Sequence, residues 1–244
     1  MTLYRREYGA GPVVILLHGL LGSADNWHSV ATLLSDRYRV VVPDLRNHGR
    51  SPHSAQFSYS DLAGDVLALI QEMNLDRPTV VGHSMGGKAA MELALSRPDV
   101  PGLLIVEDMV PGETLPISGR YITLLRNMDL TKIGRRKDAE EMLLEHVPER
   151  ALVLFLLKNL VRTSDASFEW RANLEGLEEH YDRLWEPLKA GREWRGPTLF
   201  IRGGLSDIVG DEAFGEVFSF FPNARIATIE QAGHWVHVDA LTEF

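Results

Sequence analysis

The hexapeptide Gly82-His83-Ser84-Met85-Gly86-Gly87 carries the spacing Gly-x-Ser-x-Gly. It falls between a short β-branched run, Thr79–Val81, and Lys88–Leu95, which reads as a buried helix. A serine on such a strand-to-helix turn takes a strained backbone conformation that exposes its hydroxyl. The flanking glycines, lacking Cβ, let strand and helix approach. The helix behind the serine offers free N–H groups and the positive end of its dipole to an anion. The pattern predicts a nucleophile at Ser84; the plainer alternative is a glycine-rich turn with an incidental serine. A second alternative reads Gly82 to Lys88 as a phosphate-binding loop, with Leu103–Asp108 as an acidic, magnesium-binding strand. That chemistry needs Ser or Thr after the lysine, and Ala89 stands there.

Two further segments supply what a serine nucleophile lacks. His18-Gly19-Leu20-Leu21-Gly22 ends the apolar run Val13–Leu17. A glycine-bearing turn there can aim the Leu20 N–H at a developing oxyanion, with the Met85 N–H as the second donor. Each such donor contributes about 3 kcal/mol in a transition state. Without Ser84, an ordinary strand–helix turn would be the preferred reading. Gly233-His234-Trp235 follows the alternating run Arg225–Ile229 near the chain end. Histidine is the side chain best suited to take the serine proton near neutral pH. Of the other histidines, His18 and His83 are embedded in motifs and read as structural, and His48 and His53 sit in a polar loop. His28, His146 and His180 fall on helical patterns. His234-x-x-His237 has a metal-like spacing, but no cysteine or carboxylate cluster completes a site.

The elements that must position these residues are legible as alternation. Val13–Leu17, Arg39–Val42, Thr79–Val81, Leu103–Val106, Thr198–Ile201 and Arg225–Ile229 read as strands, the short apolar ones suited to burial in a parallel sheet. Between them lie helical stretches such as Tyr59–Met73, whose Leu62, Val66, Leu69, Ile70 and Met73 form one stripe from a cap at Ser60. Strand–helix alternation predicts an open, doubly wound sheet. It breaks between Pro111 and Trp194, where Tyr121–Met128, Lys137–His146, Ala151–Val161 and Leu174–Leu184 are helical and no strand is expected. Pro111, Gly112 and Pro116 mark the entry; Gly191 and Pro197 mark the exit. Ligands of such sheets bind at the carboxyl ends of the strands, so an all-helical insertion leaving from there is expected to act as a lid. Ala151–Leu157 would turn its apolar face toward the site or the sheet.

Composition closes off other classes. The chain has 244 residues, 45% of them hydrophobic, and no cysteine. Disulfides, cysteine-ligated zinc or iron–sulfur centres and a cysteine nucleophile are excluded. A chain this long buries roughly 70–75% of its unfolded surface and needs no staple. A net charge of −9 argues against a nucleic-acid partner. The adjacent Arg135-Arg136-Lys137 reads as a solvated face. The longest unbroken apolar run, Ala151–Leu157, is far short of the ~20 residues that span a bilayer. The N-terminus shows neither an apolar run nor a small-residue cleavage site, so a soluble, intracellular, cytoplasmic protein is expected. No feature specifies an oligomeric state.

Oxyanion turn, serine and histidine occur in the order found in α/β-hydrolases. The resemblance is to the YbfF-like esterase family of that superfamily, found in bacteria and eukaryotic organelles. It is carried by Asp44–Pro52 (DLRNHGRSP), Val81–Ala89 (VGHSMGGKA), Phe155–Val161 (FLLKNLV), Trp170–Leu174 (WRANL) and Gly233–Val236 (GHWV), and covers nearly the whole chain. It implies an α/β-hydrolase fold: a mostly parallel central sheet flanked by helices, with residues 1–110 and 195–244 as core. Residues 111–194 would form a helical lid inserted after the sixth strand. The third member of the serine–histidine pair is where this sequence departs from the wider superfamily. The acid there commonly follows the strand read here as Thr198–Ile201, in a pattern Asp-x-x-Val. This chain has Ser206-Asp207-Ile208-Val209, so Ser206 holds that place and Asp207 comes one residue late. The YbfF-like branch carries its acid after the preceding strand, which implies Asp108, with Ser206 as a helper; Asp207 stays as the alternative. Asp44 is expected to fix the Arg46–Ser51 loop by hydrogen bonds. The fold usually ends in a further helix, whereas this chain stops at Phe244, so an abbreviated or truncated C-terminus is expected.

The reading is a cofactor-free, metal-free serine hydrolase acting on small-molecule carboxylic esters or thioesters of small to medium acyl chains. Ser84 would be nucleophile, His234 base, Asp108 acid, and Leu20 and Met85 the oxyanion donors. Phe155, Trp170 and Trp185 are candidates for the acyl site, and Trp194 equally so; for the three tryptophans a place in the lid core is the plainer alternative. A C–C bond hydrolase or an acyltransferase would keep the same residues. A nucleotide binder or a silent binding protein on this fold is the remoter alternative.

Overall fold

The computed structural model of the chain describes residues 1–114 and 119–244. In the first half strand and helix alternate as expected: β1 (Arg5–Tyr8), β2 (Val13–Leu17), α1 (His28–Leu34), β3 (Arg39–Pro43), α2 (Tyr59–Glu72), β4 (Thr79–His83), α3 (Met85–Ser96) and β5 (Leu103–Glu107). The inserted segment holds α4 (Gly119–Asn127), α5 (Arg136–Leu144), α6 (Arg150–Leu157), β6 (Leu160–Arg162), β7 (Phe168–Trp170) and α7 (Leu174–Glu179). The chain then returns through β8 (Thr198–Gly203), α8 (Phe214–Phe220), β9 (Ala224–Ile229) and the short α9 (Val236–Asp239).

Seven strands form one sheet in the order β1-β3-β2-β4-β5-β8-β9. Only the edge strand β1 runs antiparallel, against β3; the other neighbours are parallel. The inner parallel strands β2, β3, β4, β5 and β8 are largely buried, which is why they read as apolar runs, whereas the parallel edge strand β9 is only half-buried and alternates. Ile15, Leu17, Val41 and Val80 pack on the side of α2 and α3, while Val14, Leu16, Val40, Val42 and Val81 pack on the side of α1 and Trp27. Every residue of α3 from Met85 to Leu95 is buried, so this helix is embedded rather than amphipathic.

Four expectations need correction. The insertion leaves after the fifth strand, not the sixth, because a single edge strand precedes β2. It is not all helical. Ala151–Val161 divides into α6 and β6, and β6 pairs antiparallel with β7, Leu160 opposite Trp170. The turn between them is closed by Thr163 and Ser167 backbone bonding, with Ala166 at φ +69. Periodicity missed the hairpin because each strand is only three residues long. The cap of α2 is Ser58, not Ser60. Ser58 is extended, and its hydroxyl accepts the Asp61 N–H, whereas Ser60 already lies in the first turn. Finally, β1 was missed because its sequence, Arg-Arg-Glu-Tyr, shows a charged edge strand rather than an apolar run. Pro116, read as one marker of the insertion's entry, lies outside the described residues.

Candidate active site

The chain passes from β2 to β3 on one side and then to β4 on the other, so the carboxyl ends of β2 and β4 flank the point where strand order reverses. Crevices at that point are where open α/β sheets bind ligands. Both sequence motifs sit there, the His18–Gly22 turn after β2 and Ser84 after β4.

Ser84 has φ +52 and ψ −121, a conformation L-residues avoid unless the surroundings impose it. Its N–H donates to the Glu107 carbonyl at 3.0 Å. Its glycine neighbours are required by space. A Cβ on Gly82 would lie 2.2 Å from the Gly86 carbonyl oxygen, and one on Gly86 would lie 2.5 Å from that of Leu17. The β2 turn closes over the serine: a Cβ on Gly19 would come within 3.2 Å of the Ser84 Cβ. The His18 ring fixes that turn, its Nδ1 donating to the Gly19 carbonyl at 2.8 Å and its Nε2 accepting from the Leu45 N–H at 3.0 Å. Burial pushes His18 down to about 4, so the ring is neutral and both roles are available. Neither the Leu20 nor the Met85 N–H is taken up by a turn, cap or loop hydrogen bond among the described residues.

Asp108 follows β5 at φ +46 and is buried. Its Oδ2 accepts from His234 Nδ1 at 2.7 Å and from the Ser206 hydroxyl, and its Oδ1 accepts from the Gly203 N–H at 3.1 Å. An ionised carboxylate only accepts, so His234 carries its hydrogen on Nδ1 and leaves Nε2 as the free acceptor. Asp207, one residue past Ser206, is exposed and makes no hydrogen bond or ion pair among the described residues. Of the two acids weighed from sequence, the structure brings Asp108 to the imidazole and leaves Asp207 away from it.

The histidine loop is held by groups that sequence reading did not use. His83 Nε2 donates to the His234 carbonyl at 2.9 Å. Burial, then the neighbouring His234 and His237 rings, keep His83 well below the ordinary imidazole range, so it stays neutral. His237 is bonded through its N–H (2.8 Å) and Nδ1 (2.7 Å) to the buried Glu107 carboxylate, and its ring stacks on Trp27 at 4.2 Å. The spacing His234-x-x-His237 and the pair Glu107-Asp108 were the available signals. Each carboxylate takes one histidine, so neither pair is free for the metal-binding roles considered from sequence. Lys88 is likewise committed. It is fully buried and donates to the Glu186 carbonyl at 2.8 Å, which is incompatible with reaching a nucleotide phosphate.

Asp44 behaves as expected. Its carboxylate accepts from the Ala24 and Arg50 N–H groups at 2.6 and 2.7 Å, and its carbonyl accepts from the Ser51 hydroxyl at 2.5 Å.

Above Ser84 lies a cavity of about 570 Å³, lined mostly by apolar side chains from both the sheet's loops and the insertion. Ser84, His234, Leu20 and Met85 are in its wall, and Leu152 and Phe155 of α6 and Trp185 face them from the insertion. Trp170, at the end of β7 in the β6–β7 hairpin, is not among the lining residues. Trp194 is buried on the core, donating to the Pro98 carbonyl at 3.1 Å. Of the aromatic candidates read from the sequence, Phe155 and Trp185 line the cavity and Trp170 and Trp194 do not.

Residues 14–244 match the alpha/beta hydrolase family. The chain is similar to the mouse sn-1-specific diacylglycerol lipase ABHD11, with 40% identity over 96% of this chain and 78% of that one. Similarity to the Escherichia coli esterase YbfF is 32% identity over 96% and 90%. Among solved structures, a marine microorganism esterase superposes with a TM-score of 0.95 at 36% identity, covering 100% of this chain and 96% of that one.

Proposed function

This chain belongs to the alpha/beta hydrolase family and is an ester hydrolase, and we propose that it cleaves carboxylic esters or thioesters of small to medium acyl chains through an acyl-enzyme on Ser84. The observation that carries the reading is the 2.7 Å bond from His234 Nδ1 to the buried Asp108, on a histidine that shares one cavity wall with the strained Ser84. The Ser84 hydroxyl attacks the acyl carbonyl and its proton passes to His234 Nε2. The carbonyl oxygen, now an anion, takes hydrogen bonds from the Leu20 and Met85 N–H groups. Collapse breaks the ester or thioester bond, and the leaving oxygen or sulfur takes the proton from His234. Water then enters; His234 accepts its proton while the hydroxide adds to the acyl-enzyme, and the second collapse releases the acid and restores Ser84. Asp108 holds the imidazole in the Nδ1–H tautomer and stabilises its cation, with Ser206 and the Gly203 N–H satisfying the rest of the carboxylate. Residues 111–194 serve as the lid, and Phe155 and Trp185 as its contribution to the acyl pocket.

The test is hydrolysis of p-nitrophenyl esters and acyl-CoA thioesters of increasing length by wild type and Ser84→Ala. Ser84→Ala is expected to lower kcat by about 10⁴–10⁶ with the fold intact, because nucleophile and base act as a unit. A variant that keeps more than about a tenth of wild-type turnover would remove Ser84 from the mechanism.

A further inference from the structure

Lys88 is the largest charged side chain buried without trace of exposure, and the mechanism above gives it nothing to do. It projects from the first turns of α3, the helix that begins at the serine turn. Its ammonium donates to the Glu186 carbonyl at 2.8 Å and lies 5.6 Å from the centre of the Tyr59 ring. Burial brings its pKa down to about 8, so at neutral pH it remains an ammonium and a donor. Tyr59, the first residue of α2, donates its hydroxyl to the Leu184 carbonyl at 2.8 Å. Two core side chains in mutual contact thus grip the carbonyls on either side of one residue, Trp185. The Trp185 carbonyl is itself held by the Thr114 N–H at 3.2 Å, and its indole packs edge-on against Tyr181 at 5.2 Å. Leu184 and Trp185 both form cavity wall, as does the Tyr59 ring.

We propose that Lys88 and Tyr59 are positioning residues that lock Trp185 into the wall of the acyl cavity, and so set which acyl lengths Ser84 can turn over. An apolar residue would fill the space behind α3 at less desolvation cost than a lysine. What the ammonium adds is a directional bond to a backbone carbonyl of the insertion, given from the same helix that carries the nucleophile. The arrangement couples the pocket's wall to the serine turn through one rigid element. With either carbonyl released, the strap at 184–186 can shift and the indole no longer keeps its place in the cavity wall. The proposal rests on the reading that esters are cleaved at Ser84 in this cavity.

The experiment compares kcat/KM for p-nitrophenyl butyrate and octanoate in wild type, Lys88→Met, Tyr59→Phe, Trp185→Ala and the double variant Lys88→Met/Trp185→Ala. Trp185→Ala is expected to raise the octanoate-to-butyrate ratio fivefold or more. Lys88→Met should shift it in the same direction, and Tyr59→Phe, which removes one oxygen and little packing, by two- to threefold. Since Lys88 acts through Trp185, the double variant should show the ratio of Trp185→Ala alone. The proposal is overturned when the ratio in Tyr59→Phe and Lys88→Met stays at the wild-type value, when both chain lengths fall by the same factor, or when the two shifts multiply in the double variant. If Lys88→Met does not fold, Tyr59→Phe together with Tyr59→Phe/Trp185→Ala decides: because Tyr59 also lines the cavity, the proposal stands only if Tyr59→Phe shifts the ratio and the double variant shows the ratio of Trp185→Ala alone. Wild-type labelling of Ser84 by a small fluorophosphonate keeps the cases apart: its absence would fail the Ser84 reading rather than the anchor.

Discussion

Among single residues, the turnover rate should depend most sharply on which carboxylate serves His234. Asp108 is buried, bonded to Nδ1 at 2.7 Å and held by two further donors, while Asp207 is exposed and unbonded. Asp108→Asn should cost roughly 10⁴ in kcat, because the amide favours the wrong imidazole tautomer and stabilises no cation. Asp207→Asn should retain most of the wild-type rate; steady-state kinetics on one ester decide, and the reverse pattern would move the acid to Asp207. Ser84, His234 and the Leu20 turn were legible because each lies in a short motif whose spacing follows from its chemistry. Asp108 was legible only through resemblance, since no local pattern marks an acid 126 positions from its partner. The Glu107–His237 and His83–His234 contacts were not legible at all: they join residues more than a hundred positions apart, and only the sheet brings them together.

At the scale of elements, the serine turn depends on how closely β2, β4 and α3 approach. Gly86→Ala puts a Cβ 2.5 Å from the Leu17 carbonyl oxygen, a backbone atom that cannot swing aside. It should destabilise the protein by about 1–3 kcal/mol or more. Gly64→Ala is the internal contrast: on the exposed face of α2 its Cβ meets nothing within 4 Å. It should stabilise by about 0.5–1 kcal/mol through helix propensity and a less free unfolded chain. Thermal or urea unfolding of the two variants reads both signs, and a neutral Gly86→Ala would mean that the turn is looser than described. Buried parallel strands and embedded α3 were read correctly because apolar runs and glycine spacing are local signals. The edge strand β1 and the β6–β7 hairpin escaped because an edge strand tolerates charge and a three-residue strand has no period to detect.

At the scale of the whole molecule, buried histidines set the acid limit of the fold. His18 is pushed down to about 4 and His48 to about 3, and His83 lies well below its ordinary value, in each case chiefly by burial. Folded-state values below the unfolded value of about 6.5 mean that the unfolded chain binds more protons as pH falls. The stability these groups confer is therefore whole above pH 6.5 and is lost as pH drops toward their folded values. The two protons of His18 and His48 correspond to a slope approaching roughly 2–3 kcal/mol per pH unit near pH 5, and His83 acts in the same direction. Urea midpoints at pH 8, 6.5, 5.5 and 5 should be nearly level over the first step and fall steeply thereafter; a flat profile to pH 5 would mean that these rings are protonated in the fold. None of this was visible in the sequence, where a histidine in a polar loop, such as His48, looks exposed. No helix among the described residues is long and apolar enough to cross a membrane.

Activation of Ser84 by His234 is read out by peptide-resolved mass spectrometry after brief exposure to a fluorophosphonate. One adduct is expected, on the peptide containing Ser84, absent from Ser84→Ala and slowed by about 10³-fold or more in His234→Ala. An adduct on another residue, or equal labelling of Ser84 in the absence of His234, would contradict it.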